Sequence, residues 1–132
     1  MNKNYLWNIV CVIFISCIIN GIVWIGFHGI PLIGLPEKEE VERVTIVYNN
    51  TEERSLTDEE SIGLLVQSAN LLNYRFGGKT EETPVLSVSY HLKNGKTISL
   101  EANTTTLWWR GKSHALKETD VFINVIEGLF FQ

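Results

Sequence analysis

The chain has 132 residues, 45% of them hydrophobic, with 15 acidic against 11 basic side chains and a formal charge of −4 at pH 7. All 15 acidic residues but only 10 of the basic ones lie beyond residue 36, so that part alone carries −5; this speaks against nucleic acid, whose phosphates demand a basic face, and against simple adhesion to anionic lipid. The 96 residues from Glu37 to Gln132 suffice for one small domain, and since Cys11 and Cys17 both precede it, core packing alone must hold it together.

Between Lys3 and Glu37 there is no Asp, Glu, Lys or Arg. The 21 residues from Tyr5 to Ile25 would span roughly 31 Å as a helix, close to the hydrocarbon thickness of a bilayer. Residues 1–27 therefore read as a single-pass transmembrane anchor. Cleavage is not expected, because the apolar run is long and Gly26 and Gly29 make a poor small-x-small site; Phe14 and the apolar continuation also argue against lipidation at Cys17. Trp7 and Trp24 sit where indoles suit the headgroup boundary, and Lys3 against Glu37, Glu39 and Glu40 places the N-terminus in the cytoplasm and the domain outside the cell membrane. Ser16 and Asn20, with Cys17 and Gly21 beside them, would allow a partner helix in the membrane; the two cysteines point about 120° apart and share no metal face.

Residues 28–40 open with a mixture of glycine, proline and apolar residues and read as a juxtamembrane stalk, with His28 an interfacial residue. The domain then runs over residues 41–132. Val44, Ile46 and Tyr48 alternate with polar neighbours as a strand, Asn49-Asn50 makes a turn, and Thr51 to Leu56 returns as a polar edge strand whose Glu52, Glu53 and Arg54 discourage edge-to-edge association. Thr57-Asp58-Glu59-Glu60 predicts a capping box with Thr57 at the N-cap, opening a helix that buries Ile62, Leu65, Val66, Ala69 and Leu72. Asn73 to Pro84 is a long irregular stretch whose Tyr74, Arg75 and Phe76 supply contact chemistry beside Gly77-Gly78.

The hairpin that follows has two alternating strands, Leu86, Val88, Tyr90, Leu92 and Ile98, Leu100, Ala102. A two-residue Asn94-Gly95 turn would mix their faces, so a Lys93-Asn94-Gly95 loop with Gly95 left-handed is expected, pairing Tyr90 with Ile98 and Val88 with Leu100. That register gathers Ser87, Ser89, His91, Thr97, Ser99 and Glu101 on the opposite, polar face. Serine, histidine and carboxylate are the ingredients of a hydrolytic triad, but an open strand face lacks the turn that presents a nucleophile, and no oxyanion hole or glycine-rich elbow is visible. No catalytic, metal or cofactor site is expected.

A second hairpin over Thr104 to Lys117 should turn at Arg110-Gly111-Lys112, which puts Trp108 and Trp109 on opposite faces without saying which enters the core. An exposed tryptophan near Arg110, Lys112 and His114 is the best candidate contact surface, joined by Tyr74, Arg75 and Phe76. Asn49 and Asn103 each stand in a glycosylation pattern. After Thr119 as N-cap, Val121, Phe122, Val125, Ile126, Leu129 and Phe130 form a closing amphipathic helix.

The run TTTLWWRGKSHALKETDVFINVIEGLFF with the preceding KNGKTISLEAN hairpin resembles the C-terminal half of small extracytoplasmic domains of unassigned function found in Firmicutes. Those domains share an N-terminal membrane anchor, a Trp-Trp-x-Gly-Lys hairpin and a closing helix. The resemblance implies a bacterial surface-facing domain and no activity. Together these readings predict an α+β fold: an antiparallel sheet of about five or six strands covered by two helices and preceded by one transmembrane helix. The expected role is noncatalytic binding, as an accessory or sensory domain for a protein, peptide or envelope component. The alternative is a small regulatory or immunity-like membrane protein acting through its transmembrane helix.

Overall fold

The structure, a computed structural model, describes residues 3–75 and 83–131, and only the backbone of 25–28. Phe76 and Gly77-Gly78, expected in a contact loop, and the side chain of His28 lie outside the described residues. The chain begins with the helix α1 (Lys3–His28), whose 22 residues Lys3–Trp24 are long and apolar enough to cross a membrane and have no buried surface. Beyond Lys3 the run carries no charge, so the helix has no charged face to turn to water.

The rest is α+β. Its strands, in chain order, are β1 (Ile30–Pro31), β2 (Val41–Tyr48), β3 (Glu52–Leu56), β4 (Asn73–Tyr74), β5 (Leu86–Leu92), β6 (Thr97–Ala102), β7 (Thr106–Trp109) and β8 (Lys112–Ala115). Six of them form one antiparallel sheet in the order β3-β2-β5-β6-β7-β8, and β1 and β4 pair separately. The helices α2 (Glu59–Ala69) and α3 (Val121–Phe130) cover one face, α2 packing on β2 and on α3, so with α1 there are three α-helices among the described residues. The core is the inward half of each alternation, Val44 and Ile46, Leu86, Val88 and Tyr90, Leu100 and Ala102, Leu107, against Leu65, Ala69, Phe122 and Ile126 of the helices, all nearly inaccessible.

The β5–β6 register is the one the alternation demands: Tyr90 faces Ile98, Val88 faces Leu100, and Gly95 closes the loop at φ 88°. Asn49 and Asn50 both adopt left-handed backbone at the β2–β3 turn, a conformation their short polar side chains tolerate. The β7–β8 turn is shorter than expected. Arg110 and Gly111 alone form it, both at positive φ, so Lys112 is the first residue of β8 and pairs with Trp109. Two caps also shift by one residue. Asp58, not Thr57, caps α2, its carboxylate accepting from the Ser61 amide at 3.0 Å; hydrogen bonds from the Ser61 hydroxyl and then from this amide hold the Asp58 carboxyl below its ordinary value. Asp120, not Thr119, precedes α3; it is left-handed, makes no side-chain cap and is held by its own N–H donating to the Thr104 carbonyl.

Residues 28–40, read as a stalk, carry structure of their own. Ile30 and Pro31 pair with Tyr74 and Asn73, Gly29 and Pro36 are buried, and Leu32 and Leu35 pack on the core. Lys38–Glu40 form one 3-10 turn that delivers the chain into β2.

Candidate functional site

Among the described residues helices cover only one side of the sheet, and the registers fix what the other side presents. One row crosses all six strands: Glu53, Val47, Ser87, Glu101, Trp108 and Ser113. The next runs Ser55, Thr45, Ser89, Ser99, with the Ser89 and Ser99 hydroxyl oxygens 3.1 Å apart. A third runs Arg43, His91, Thr97. The result is a grid of hydroxyls with two carboxylates, an imidazole, a guanidinium, one valine and, near one end, a single indole.

His91 binds threonines on both sides: its Nε2 lies 3.1 Å from Thr45 Oγ1 and its Nδ1 3.4 Å from Thr97 Oγ1. Both ring nitrogens are thus taken up across the sheet, and the ring is not aimed at Ser89 as a general base would be. Among the described residues no group of three or more His, Cys, Asp or Glu could hold a metal ion.

The paired tryptophans separate as strand parity requires. Trp109 points into the core, 7% exposed, beside Leu100 on β6; Trp108 stands half-buried on the open face between Glu101 and Ser113. Of the two, only Trp108 can meet a partner without unfolding the domain. Arg110 lays its guanidinium over the Trp109 ring, 5.5 Å from the centroid, and also touches Gly34 of the chain leading from α1. Lys112 pairs with Trp109 at the start of β8, and its side chain is exposed. His114 falls on the helix-covered side and stacks on Tyr74, ring centroids 4.2 Å apart, while the Arg75 N–H donates to the Ala115 carbonyl and its side chain is exposed.

The expected contact residues therefore divide between two places. Tyr74, Arg75, Trp109, Arg110, Lys112 and His114 gather along the β8 edge, where the segment after α1 runs, and Trp108 stands on the other side of the sheet. Among the described residues Arg75, Arg110 and Lys112 make no ion pair.

Two further groups escaped the sequence reading. Asn103, 2% exposed, receives the amides of Thr105 (2.9 Å) and Thr106 (2.7 Å) on its Oδ1 and ties β6 to β7. Folded, its side chain is sealed from the glycosylation its sequence pattern suggests. At the other end, Phe131 lies between Tyr48, stacked at 5.1 Å, and the Arg54 guanidinium, 5.2 Å from the ring centroid. The Tyr48 hydroxyl donates to Glu127 at 3.2 Å, and burial together with that carboxylate pushes its phenol pKa up. An Asn preceding two Thr residues signals an Asx turn, and could have identified the first group; nothing local signals the second.

No protein-family model, curated protein or solved structure matches this chain.

Proposed function

We propose that this is a membrane-anchored, extracytoplasmic binding domain of a bacterial cell, noncatalytic, that recognises a protein, peptide or envelope component through the open face of its sheet. The observation that carries the reading is the position of Trp108: an indole held half-buried on a face rich in small hydroxyls that also carries Glu53, Val47, Arg43 and His91, next to Glu101 and Ser113. Such a surface offers a flat apolar plate for stacking and a field of donors and acceptors around it, the composition of a recognition patch. The occupied nitrogens of His91 support recognition over hydrolysis. The apolar length of α1 supports the membrane anchor, and Lys3 on one side of it supports a domain outside the cell.

The test is photo-crosslinking from Ser113 or Ser99, both exposed on this face, in bacterial cells making the full chain. A discrete adduct is expected that disappears with Trp108→Ala while the purified variant keeps the far-ultraviolet circular dichroism and cooperative thermal unfolding of the parent. An adduct indifferent to Trp108→Ala, or no adduct from either position, would overturn the proposal.

A further inference from the structure

We infer that the domain rests directly on the bilayer, with Leu71 and Val121 inserted at the headgroup boundary beside the end of α1. This rests on the reading of α1 as a membrane-spanning helix. The geometry is that of a tether with no slack. Helix α1 ends at His28, and the next residue, Gly29, is already buried against the domain. A Cβ placed on Gly29 would stand 3.0 Å from the Asn73 Cβ, 3.1 Å from the Lys117 Cβ and 3.2 Å from the Tyr74 carbonyl oxygen. The chain then pairs at once with β4. No spacer therefore lifts the domain off the membrane, and whatever surface surrounds Asn73 and Lys117 must lie at the lipid boundary.

That surface is apolar where it would meet lipid. A shallow recess there is lined by Leu71, Asn73, Leu116, Glu118 and Val121. Its rim carries two large exposed side chains, Leu71 at 58% and Val121 at 40%, and the tether itself presents Ile33 at 73%. Leu71 directly follows Asn70, the last capping residue of α2, and Val121 is the first residue of α3, so both stand on rigid element ends. Leu71 and Val121 border one recess and so act as a pair, unlike an isolated exposed residue such as Leu129, and the membrane is the partner the tether brings to them. Glu118 and Asp120 outnumber Lys117 nearby, so apolar insertion rather than attraction to anionic headgroups makes the contact.

The experiment uses the full chain in lipid nanodiscs with an environment-sensitive fluorophore on single cysteines and spin-labelled lipids as depth quenchers. Native Cys17 in a Cys11→Ala chain reports on α1; Leu71→Cys, Val121→Cys and, on the open sheet face, Ser99→Cys are each made with Cys11→Ala and Cys17→Ala. The expected result is quenching of Cys17 from mid-acyl labels. Positions 71 and 121 should be quenched at about 5–10 Å into the headgroup–acyl boundary, position 99 not at all, and neutral and anionic discs should agree. Quenching of Cys17 with positions 71 and 121 as unquenched as 99, or insertion only into anionic discs, would overturn the inference and leave the spanning helix intact. Failure to quench Cys17 would remove the spanning helix and the inference with it. Leu71→Asp with the fluorophore at Val121→Cys gives a second check: quenching at 121 should fall, and if it does not, the two side chains do not insert together.

Discussion

Replacing Gly29 by alanine tests whether the segment after α1 is part of the fold. Gly29 sits at φ +79°, Gly95 at φ +88°, both in the left-handed region where a Cβ costs about 1–2 kcal/mol. Their surroundings differ. A Cβ at Gly95 meets nothing within 4 Å, whereas at Gly29 it meets two Cβ atoms and a backbone oxygen, none of which is the free end of a flexible side chain. Overpacking of that kind adds about 1–3 kcal/mol, so Gly29→Ala should cost roughly 2–5 kcal/mol against about 1–2 for Gly95→Ala. In a domain of this size the difference corresponds to at least ~4 °C in midpoint, followed by near-ultraviolet circular dichroism of the full chain in mild detergent. Since β1 has only two residues, it can also detach on its own, which would cap the loss of global stability. In that case hydrogen exchange at the Ile30 and Tyr74 amides accelerates instead. A Gly29→Ala chain with a midpoint no lower than that of Gly95→Ala and unchanged exchange at both amides would refute the packed tether.

Trp109→Ala should lower stability by about 3–5 kcal/mol in equilibrium denaturation, as expected for an aromatic ring lost from a core, whereas Trp108→Ala should cost less, about 1–2 kcal/mol, because its ring lies on the sheet's open face and is partly exposed. Asn103→Ala leaves the Thr105 and Thr106 amides without their acceptor and should cost about 1–3 kcal/mol; an unchanged denaturation midpoint would contradict the Asx turn. Tyr90 donates to the Leu65 carbonyl at 2.8 Å inside the core, and burial pushes its phenol up. A raised folded-state value means stability that is intact below the ordinary tyrosine pKa of about 10 and lost as pH climbs beyond it, because only the unfolded chain can release that proton. Denaturation midpoints should fall steeply above that pH in the parent and less so in Tyr90→Phe, which itself costs about 0.5–1.5 kcal/mol at neutral pH.

The sheet was legible where two signals agreed. In the β5–β6 hairpin the alternation of Val88 and Tyr90 with Leu100 and Ile98, together with Gly95 in the loop, admits one register, and the structure adopts it. At the helix starts several cap-forming residues stand side by side, and spacing alone does not choose among them. Asp58 prevails over Thr57 because its carboxylate reaches the Ser61 amide, and the start of α3 depends on the Thr104 carbonyl, distant in sequence. The two tryptophans had to oppose each other. Which one is inward follows from where β7 pairs on β6, a register set by the buried Asn103 turn and invisible to local periodicity. The segment after α1 reads as loop because a two-residue strand has no periodicity, and its partner, Asn73-Tyr74, lies beyond two strands and a helix.

Net charge misleads here for a related reason. The −5 of residues 37–132 is an average, and folding redistributes it: Arg75, Arg110 and Lys112 come to one edge with Lys117 near its end, while Glu53, Glu101 and Arg43 stand on the open face. The edge bearing the cations is the one along which the tether runs, since Gly29 meets Lys117 and Gly34 meets Arg110. A tether bonded to that edge also fixes how the domain is turned, because rotation about a free stalk is no longer available. On the proposed membrane anchoring, the open face keeps one orientation relative to the bilayer before any partner arrives, and the orientational entropy that a swinging domain would lose on binding has already been given up in folding. On the same proposal, this prior ordering offsets part of the cost of docking on a polar face with a single aromatic plate.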